Sequence, residues 1–429
     1  MNIVDSELVL SGFQRLGFLE TRSGEDADVL ILNTCSVRDH AEHRVFSRIG
    51  ALRSWKQDRP RRVLAVMGCM AQREAVAIRR RMPHVDLVAG TRDFPKIPEL
   101  ARRIRAGEGP FVVVDGTARP DVVRNPASRP RLYQAYVSIM RGCDRPCTYC
   151  IVPTVRGRAV SRPMEEVVWE VRALVEDGVV EVCLLGQTVN AYDGGRRGRV
   201  HLGTLIRELE SVDGLRRLRF VTNHPQDFNE EIVAAMAEST RLDRFLHMPI
   251  QSGSNRILKA MRRGYTVEKY RSTVAAIRQA IPDMQIGCDW IVGYPGEVEA
   301  DHEASLQVCE EIGFSQSFIF KYSPRPRTNA AELVDDVPED VKKRRNQELL
   351  AVQERVSRDA NRQLIGTETD VLIEGRSKLD RDRWSGRDPA HRVVILDDPD
   401  LASGMIVRAK IRSATALTLF ADLVTERVR

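Results

Sequence analysis

The sequence predicts an α/β protein in three parts: an N-terminal doubly wound parallel sheet, incomplete at its start, a central partial (β/α)6 barrel and a small C-terminal β-barrel. Three observations carry this reading. Short apolar runs alternate with helical stretches through the first two parts, the pattern of parallel strands joined by crossover helices. A charged stretch at residues 111–134, with Gly116, Pro120, Pro126 and Pro130, interrupts the alternation and reads as a linker. Beyond residue 365 the helical pattern stops, and short β-like runs follow one another between turns.

In residues 1–110 the strands are Val29-Leu30-Ile31-Leu32, Val63-Leu64-Ala65-Val66 and Val85-Asp86-Leu87-Val88. Ligands of such sheets collect beyond the carboxyl ends of the strands. Cys35 and Cys69 both fall there. Two small buried thiols would also satisfy a core, but equivalent strand-end positions favour metal ligands.

Residues 135–364 hold six strand candidates: Tyr136 to Met140, Val179 to Leu185, Leu218 to Thr222, Phe245 to Pro249, Gln285 to Val292 and Ser317 to Tyr322. Between them Val167, Val168, Val171, Leu174 and Val175 illustrate the one-face spacing of a helix. Such a barrel works at the carboxyl ends of its strands. Pro338 to Leu364 reads as one charged helix leading to the tail. In residues 365–429 four short strands, at Val371 to Ile373, Arg392 to Leu396, Met405 to Arg408 and Leu417 to Phe420, suit a small RNA-binding barrel.

A chain of 429 residues has room for two to four domains. No apolar stretch approaches the ~20 residues that span a bilayer, and the start lacks a signal-peptide pattern, so a cytoplasmic protein without a membrane partner is expected. Eight cysteines, three on one loop, point to metal binding in a reducing compartment. Lys and Arg exceed Asp and Glu by only 66 to 60, which neither demands nor excludes a nucleic-acid partner. The runs Arg79-Arg80-Arg81, Arg216-Arg217, Arg262-Arg263 and Lys342-Lys343-Arg344-Arg345 read either as phosphate contacts or as solvated helix faces.

The most informative residues are Cys143, Cys147 and Cys150, directly after the first barrel strand. A Cys-x3-Cys-x2-Cys loop has one thiolate too few for a closed zinc site, which takes four protein ligands. Three thiolates suit three irons of a 4Fe-4S cluster, leaving the fourth open to a substrate or cofactor. Cys183, Cys288 and Cys309 lie inside strand or helix patterns and read as core thiols. No Ser-His-Asp grouping or phosphate loop appears.

The stretch from Val137 through the triplet to Ser161-Arg162-Pro163 resembles the radical S-adenosylmethionine methylthiotransferase family, in its tRNA-2-methylthio-N6-dimethylallyladenosine synthase branch. The resemblance implies that S-adenosylmethionine chelates the open iron and that Tyr149 lies near its adenine. Gly186 and Gln187, in Leu184-Leu185-Gly186-Gln187-Thr188-Val189-Asn190, match the segment near the methionine group. Gln251 and Ser252, in His247 to Ser254, and Gly293, in Asp289 to Glu297, match further cofactor-lining segments. The tail resembles a TRAM domain. Tyr322 to Thr328 is also family-like, with Arg327 where a glycine is usual. Implied in turn are two 4Fe-4S clusters, the second on Cys35, Cys69 and a further ligand, a tRNA anticodon loop as substrate, a low-potential electron donor and a monomeric enzyme.

One departure stands out. The family's first auxiliary cysteine lies in a Cys-Gln-Met-Asn segment, whereas this chain opens Met1-Asn2-Ile3. The expectation is that the natural protein begins upstream; the alternatives are that His40 or His43 replaces the ligand, or that the cluster is lost. An enzyme acting on threonylcarbamoyladenosine or a ribosomal protein would share the clusters, and an inactive RNA-binding remnant would share the fold. The Gly186 to Asn190 segment favours the isopentenyladenosine branch.

Overall fold

The computed structural model describes residues 1–36, 39–116, 132–195 and 201–424, and of residues 39–43 the backbone. The chain divides into two compact units. The first holds the N-terminal sheet together with Arg141–Asp144 and Ile151–Ala159; the second holds Arg145–Cys150 and the remainder through the C-terminal barrel.

The first unit is built on four parallel strands in the order β1 (Val29–Thr34), β2 (Val63–Gly68), β3 (Leu87–Ala89) and β4 (Phe111–Val113). Side chains alternate across a strand, and β2 shows the consequence. Val63, Ala65 and Met67 pack with Val9 and Phe13 of α1 (Asn2–Arg15) and with Ile97 and Leu100 of α5 (Ile97–Arg105). Leu64 and Val66 pack on the other face against α2 (Asp39–Ala51), α3 (Arg53–Asp58) and α4 (Cys69–Arg81), through Ile49, Trp55 and Ile78. Helices thus cover both faces, as the alternation predicts. Strand β4 corrects the reading of residues 111–134 as linker, since Phe111 pairs with Leu87 and Val113 with Ala89. Three residues are too few to show a period of their own.

The second unit opens with β5 (Gln134–Ser138). Along the chain the two-residue strands β6 (Met140–Arg141) and β7 (Val160–Ser161) then flank the cysteine loop and the short helix α6 (Val152–Arg156), which itself belongs to the first unit. Parallel strands β5, β8 (Glu181–Leu185) and β9 (Arg217–Phe220) form one sheet. Parallel strands β10 (Phe245–His247), β11 (Gln285–Val292) and β12 (Gln316–Lys321) form another, joined to the first by a bridge between Leu218 and Leu242. These six strands overlap all six candidates. Helices α7 (Met164–Glu176), α8 (Leu202–Glu210), α9 (Glu230–Glu238), α10 (Asn255–Ala260), α11 (Val267–Ala280) and α12 (Glu299–Ile312) separate them. Val167, Val168, Val171 and Leu174 are buried while Trp169 between them is exposed, which is the one-face spacing realised.

Helix α13 (Glu339–Arg362) docks through a polar stripe, with Lys342, Arg345, Gln353, Ser357 and Asn361 all buried. Gln353 Nε2 donates to Phe314 O at 2.7 Å and Asn361 Nδ2 to Thr415 O at 2.9 Å. Five strands, β13 (Glu368–Arg376), β14 (Trp384–Arg387), β15 (Val393–Leu396), β16 (Ile406–Ala414) and β17 (Thr418–Leu423), close into a barrel around Val371, Ile373, Val394 and Leu419. Four were expected. β14 reads Trp-Ser-Gly-Arg, whose Ser-Gly pair signals a turn, yet it pairs with both β13 and β15.

Several basic residues are neither phosphate contacts nor solvated. Arg217, Arg263, Lys342 and Arg345 are buried, Lys342 on Asp335 and Arg345 on Glu297 at 2.6 and 2.9 Å. Cys183, Cys288 and Cys309 are buried as expected of core thiols. Among the described residues no helix is long and apolar enough to cross a membrane.

Candidate active site

In the first unit Thr34 and Gly68 are register partners at the ends of β1 and β2, and each is followed at once by a cysteine. Cys35 and Cys69 therefore leave the sheet side by side. Thr34 ties the two ends further, its Oγ1 donating to Met67 O at 2.6 Å and accepting from Ala71 N at 3.3 Å. Cys69 is buried beside Arg156, whose Nε donates to its Sγ at 3.3 Å. Burial pushes the Cys69 thiol pKa up, with Arg156 working against that shift. Arg156 is itself anchored, at 2.8 Å, to Asp5, a fully buried carboxylate that also meets Arg141 at 3.0 Å. The side chains of the alternative ligands His40 and His43 lie outside the described residues.

Of the cysteine triplet, Cys143 belongs to the first unit, where its backbone N–H donates to Gly157 O at 3.1 Å. Cys147 and Cys150 belong to the second, where Cys150 N donates to Cys147 O at 3.1 Å. Arg145, between Cys143 and Cys147 in sequence, reaches Gln226 Oε1 at 2.8 Å and pairs with Asp227, fixing the loop to the turn that follows β9. Arg263 lies against the loop. Its guanidinium donates to Cys147 Sγ at 3.4 Å, Tyr149 OH at 3.3 Å, Tyr265 OH at 2.9 Å and Pro249 O at 2.8 Å. Burial pushes the Tyr149 phenol well above its ordinary pKa, so it stays neutral.

The other expected cofactor residues occupy successive strand ends. Gly186 follows β8, and a Cβ there would lie 2.5 Å from Met140 Cγ and 3.1 Å from Val189 Cγ2, so a larger residue would have to displace the Met140 side chain. Its carbonyl accepts from Thr222 Oγ1 at 3.0 Å. Gln187 follows it, half-buried. Gln251 bridges to Trp290 of β11, and Ser252 next to it is buried. Gly293, one residue beyond β11, donates its N–H to Glu297 Oε1 at 2.8 Å. The same strand-end logic extends to His224, which sequence reasoning missed. Its Nδ1 accepts from Gln226 N at 3.3 Å, leaving the proton on Nε2, a buried atom without a partner among the described residues. Arg145 and Arg263 were also missed as site residues.

Among the described residues no three His, Cys, Asp or Glu side chains converge on a point that would hold a single metal ion. A cluster makes no such demand, because each thiolate binds a different iron. The residues fit one in charge as well: a buried guanidinium on Cys147 and another on Cys69 are complements for anionic sulfur.

A partial α/β barrel with a three-cysteine loop after its first strand defines a radical S-adenosylmethionine protein, and residues 137–309 match the model described as Radical SAM superfamily. Residues 1–90 match the one described as Uncharacterized protein family UPF0004, and residues 362–424 the TRAM domain. Proteins named tRNA-2-methylthio-N(6)-dimethylallyladenosine synthase are similar over nearly the whole length. That of Moorella thermoacetica is 41% identical, covering 99% of this chain and 96% of the relative. Those of Rhodopirellula baltica and Carboxydothermus hydrogenoformans are 39% and 40% identical, covering 100% and 99% of this chain and 94% and 97% of the relatives. The chain belongs to the tRNA-2-methylthio-N(6)-dimethylallyladenosine synthase family, whose radical S-adenosylmethionine core carries a 4Fe-4S cluster and S-adenosylmethionine. Among solved structures, the radical S-adenosylmethionine methyltransferase TsrM of Kitasatospora setae shares the fold, with a TM-score of 0.54 and 16% identity over 75% of this chain and 66% of that one.

Proposed function

We propose that this chain transfers a methylthio group to carbon 2 of N6-isopentenyladenosine beside the anticodon of tRNA, using two 4Fe-4S clusters. The single observation that carries the reading is end-to-end identity near 40% with synthases of that name, spanning all three domains. Cys143, Cys147 and Cys150 would hold the cluster that binds S-adenosylmethionine, and Cys35 and Cys69 would supply two ligands of the auxiliary cluster. When bound, cluster and S-adenosylmethionine supply the one-electron chemistry that an unactivated aromatic carbon requires. The chain's own residues bind and orient. Tyr149, neutral and half-buried, offers a flat apolar face for adenine; Gly186 lets the backbone approach the methionine group, with Gln187 next to it; Gln251, Ser252 and Gly293 line the remaining strand ends. The C-terminal barrel would grip the tRNA backbone. An unpaired loop base is presented for reaction more easily than a stacked, paired one. The reading places the enzyme in the cytoplasm, acting as a monomer with a low-potential electron donor.

The test is nucleoside mass spectrometry of isopentenylated tRNA incubated with the reconstituted enzyme, S-adenosylmethionine and dithionite. Cys143→Ala, Cys147→Ala and Cys150→Ala should abolish both 5'-deoxyadenosine formation and methylthiolation. Cys35→Ala and Cys69→Ala should abolish methylthiolation and leave 5'-deoxyadenosine formation. A wild-type enzyme that modifies threonylcarbamoyladenosine or a ribosomal protein, and not isopentenylated tRNA, would overturn the substrate.

A further inference from the structure

Arg263 is a permanently charged group in an unusual position. It is only 6% exposed, yet no carboxylate pairs with it among the described residues. Its four partners are a backbone carbonyl, the hydroxyls of Tyr149 and Tyr265, and Cys147 Sγ. A buried charge without a counter-charge costs several kcal/mol in a folded protein. Four other buried cations have a carboxylate, Arg156 with Asp5, Arg345 with Glu297, Lys342 with Asp335 and Arg219 with Glu181, while Arg62 and Arg217 donate to backbone carbonyls. Arg263 has one carbonyl and also reaches a cysteine, and Cys147 is the partner at hand that becomes anionic as a cluster ligand.

Its placement is also fixed. Arg263 Nη2 donates to Pro249 O at 2.8 Å, and Tyr265 OH, which accepts from Nε, donates in turn to Ile250 O at 2.9 Å. Both carbonyls belong to the segment immediately after β10, so the guanidinium is pinned to a strand end of the barrel. Nη1 alone is turned toward the cysteine loop, reaching both Cys147 Sγ and Tyr149 OH. Two nitrogens anchor and one is presented.

We propose that Arg263 is a positioning residue that sets the reduction potential of the cluster held by Cys147, through a charged hydrogen bond to that ligand's sulfur. The inference rests on the assignment of Cys147 as a ligand. Taking up one electron adds negative charge to the cluster, and a fixed cation on a ligand sulfur stabilises the reduced form, raising its potential. The electron comes from a low-potential one-electron donor and stays on the cluster; no proton moves, because the guanidinium is charged in both states. Hydrogen bonds to ligand sulfurs are among the recognised controls of iron–sulfur potentials.

The experiment is a dithionite redox titration of full-length reconstituted protein, followed by the electron paramagnetic resonance of the reduced cluster. Wild type, Arg263→Gln and Arg263→Lys are compared, with iron content and circular dichroism recorded for each. Arg263→Gln, which removes the charge, should move the potential to more negative values. Arg263→Lys keeps the charge without the fork and should recover part of that shift. Equal potentials in wild type and Arg263→Gln would overturn the proposal. So would folded variants that both fail to retain iron, since the residue would then serve assembly and not potential. Cys147→Ala separates this from the ligand assignment: if it retains the reducible cluster, the assignment fails whatever the arginine does.

Discussion

The Cβ that Gly68 lacks would collide with Thr34, its register partner in the sheet: it would overlap the Thr34 carbonyl oxygen and stand 3.0 Å from the Thr34 nitrogen and 2.8 Å from Asn33 Oδ1. Gly68 has φ +103° and ψ −161°, a region open only to glycine. It turns the chain from β2 directly into α4, whose first residue is Cys69. Gly68→Ala should therefore destabilise the first unit by at least the roughly 1–3 kcal/mol of such backbone strain. If Cys35 and Cys69 hold the auxiliary cluster as proposed, it should also lower the iron content while sparing 5'-deoxyadenosine formation. Urea unfolding and iron analysis on the same preparation check both.

His224 gives the fold a signed pH dependence. Burial, then the charges of Arg263 and Arg145, push its pKa down from 6.5 to about 2. The unfolded chain takes a proton on this ring below about pH 6.5 and the folded chain does not, so stability is full above that pH and falls as the medium becomes acid. The loss is about 1.4 kcal/mol per pH unit from this residue across the window down to about 2. His224→Gln, which keeps a polar side chain and cannot charge, should flatten the stability profile between about pH 6.5 and 4.5 by some 2–3 kcal/mol. The difference in urea midpoint between the two full-length proteins over that interval is the measurement.

What the sequence revealed and what it hid divide along a physical line. The six barrel strands were legible because apolar residues recur in short stretches flanked by helical spacing, and β11 was placed from Gln285 to Val292 without error. Strand β14 was hidden because four residues with a central Ser-Gly carry no such signal. Cys147 could be singled out from spacing alone, whereas Arg263, 116 positions away, looked like half of a basic pair. Its role exists only once β10 and the cysteine loop are brought together. The neighbouring Arg262 is exposed, so charge in the sequence did not tell the two apart. His224 could have been found, since Thr222-Asn223-His224-Pro225 follows β9 as Gly186 follows β8.

Arg217 is one of the residues that dock the C-terminal barrel at the N-terminal end of β9, with Arg219 on His391 beside it. It donates to Arg387 O at 2.8 Å and Asp370 O at 2.9 Å, carbonyls of β14 and β13. Burial pushes Asp243 up to about 8, with Arg217 among the charges that oppose the shift. Arg217→Met should cost about 3 kcal/mol or more, the worth of two hydrogen bonds from a charged donor. Scanning calorimetry should show the C-terminal barrel melting earlier and more independently of the core. Cluster content should not change, because the opposite end of the barrel carries the cysteine loop.

Arg327, where the resemblance leads one to expect a glycine, has the left-handed backbone that glycine favours, with φ +69°. The turn is held by Thr328, whose N and Oγ1 both donate to Arg325 O, at 3.1 and 2.7 Å. A side chain in the left-handed region costs about 1–2 kcal/mol, and restoring glycine returns about 0.4–1 kcal/mol of that through the freer unfolded chain. Arg327→Gly should consequently stabilise the protein by a net amount of up to about 1 kcal/mol, seen as a higher urea midpoint. Since Arg327 is exposed, the rate of methylthiolation should stay at the wild-type value; a fall in that rate with stability unchanged would show that the arginine acts on the tRNA and not on the turn.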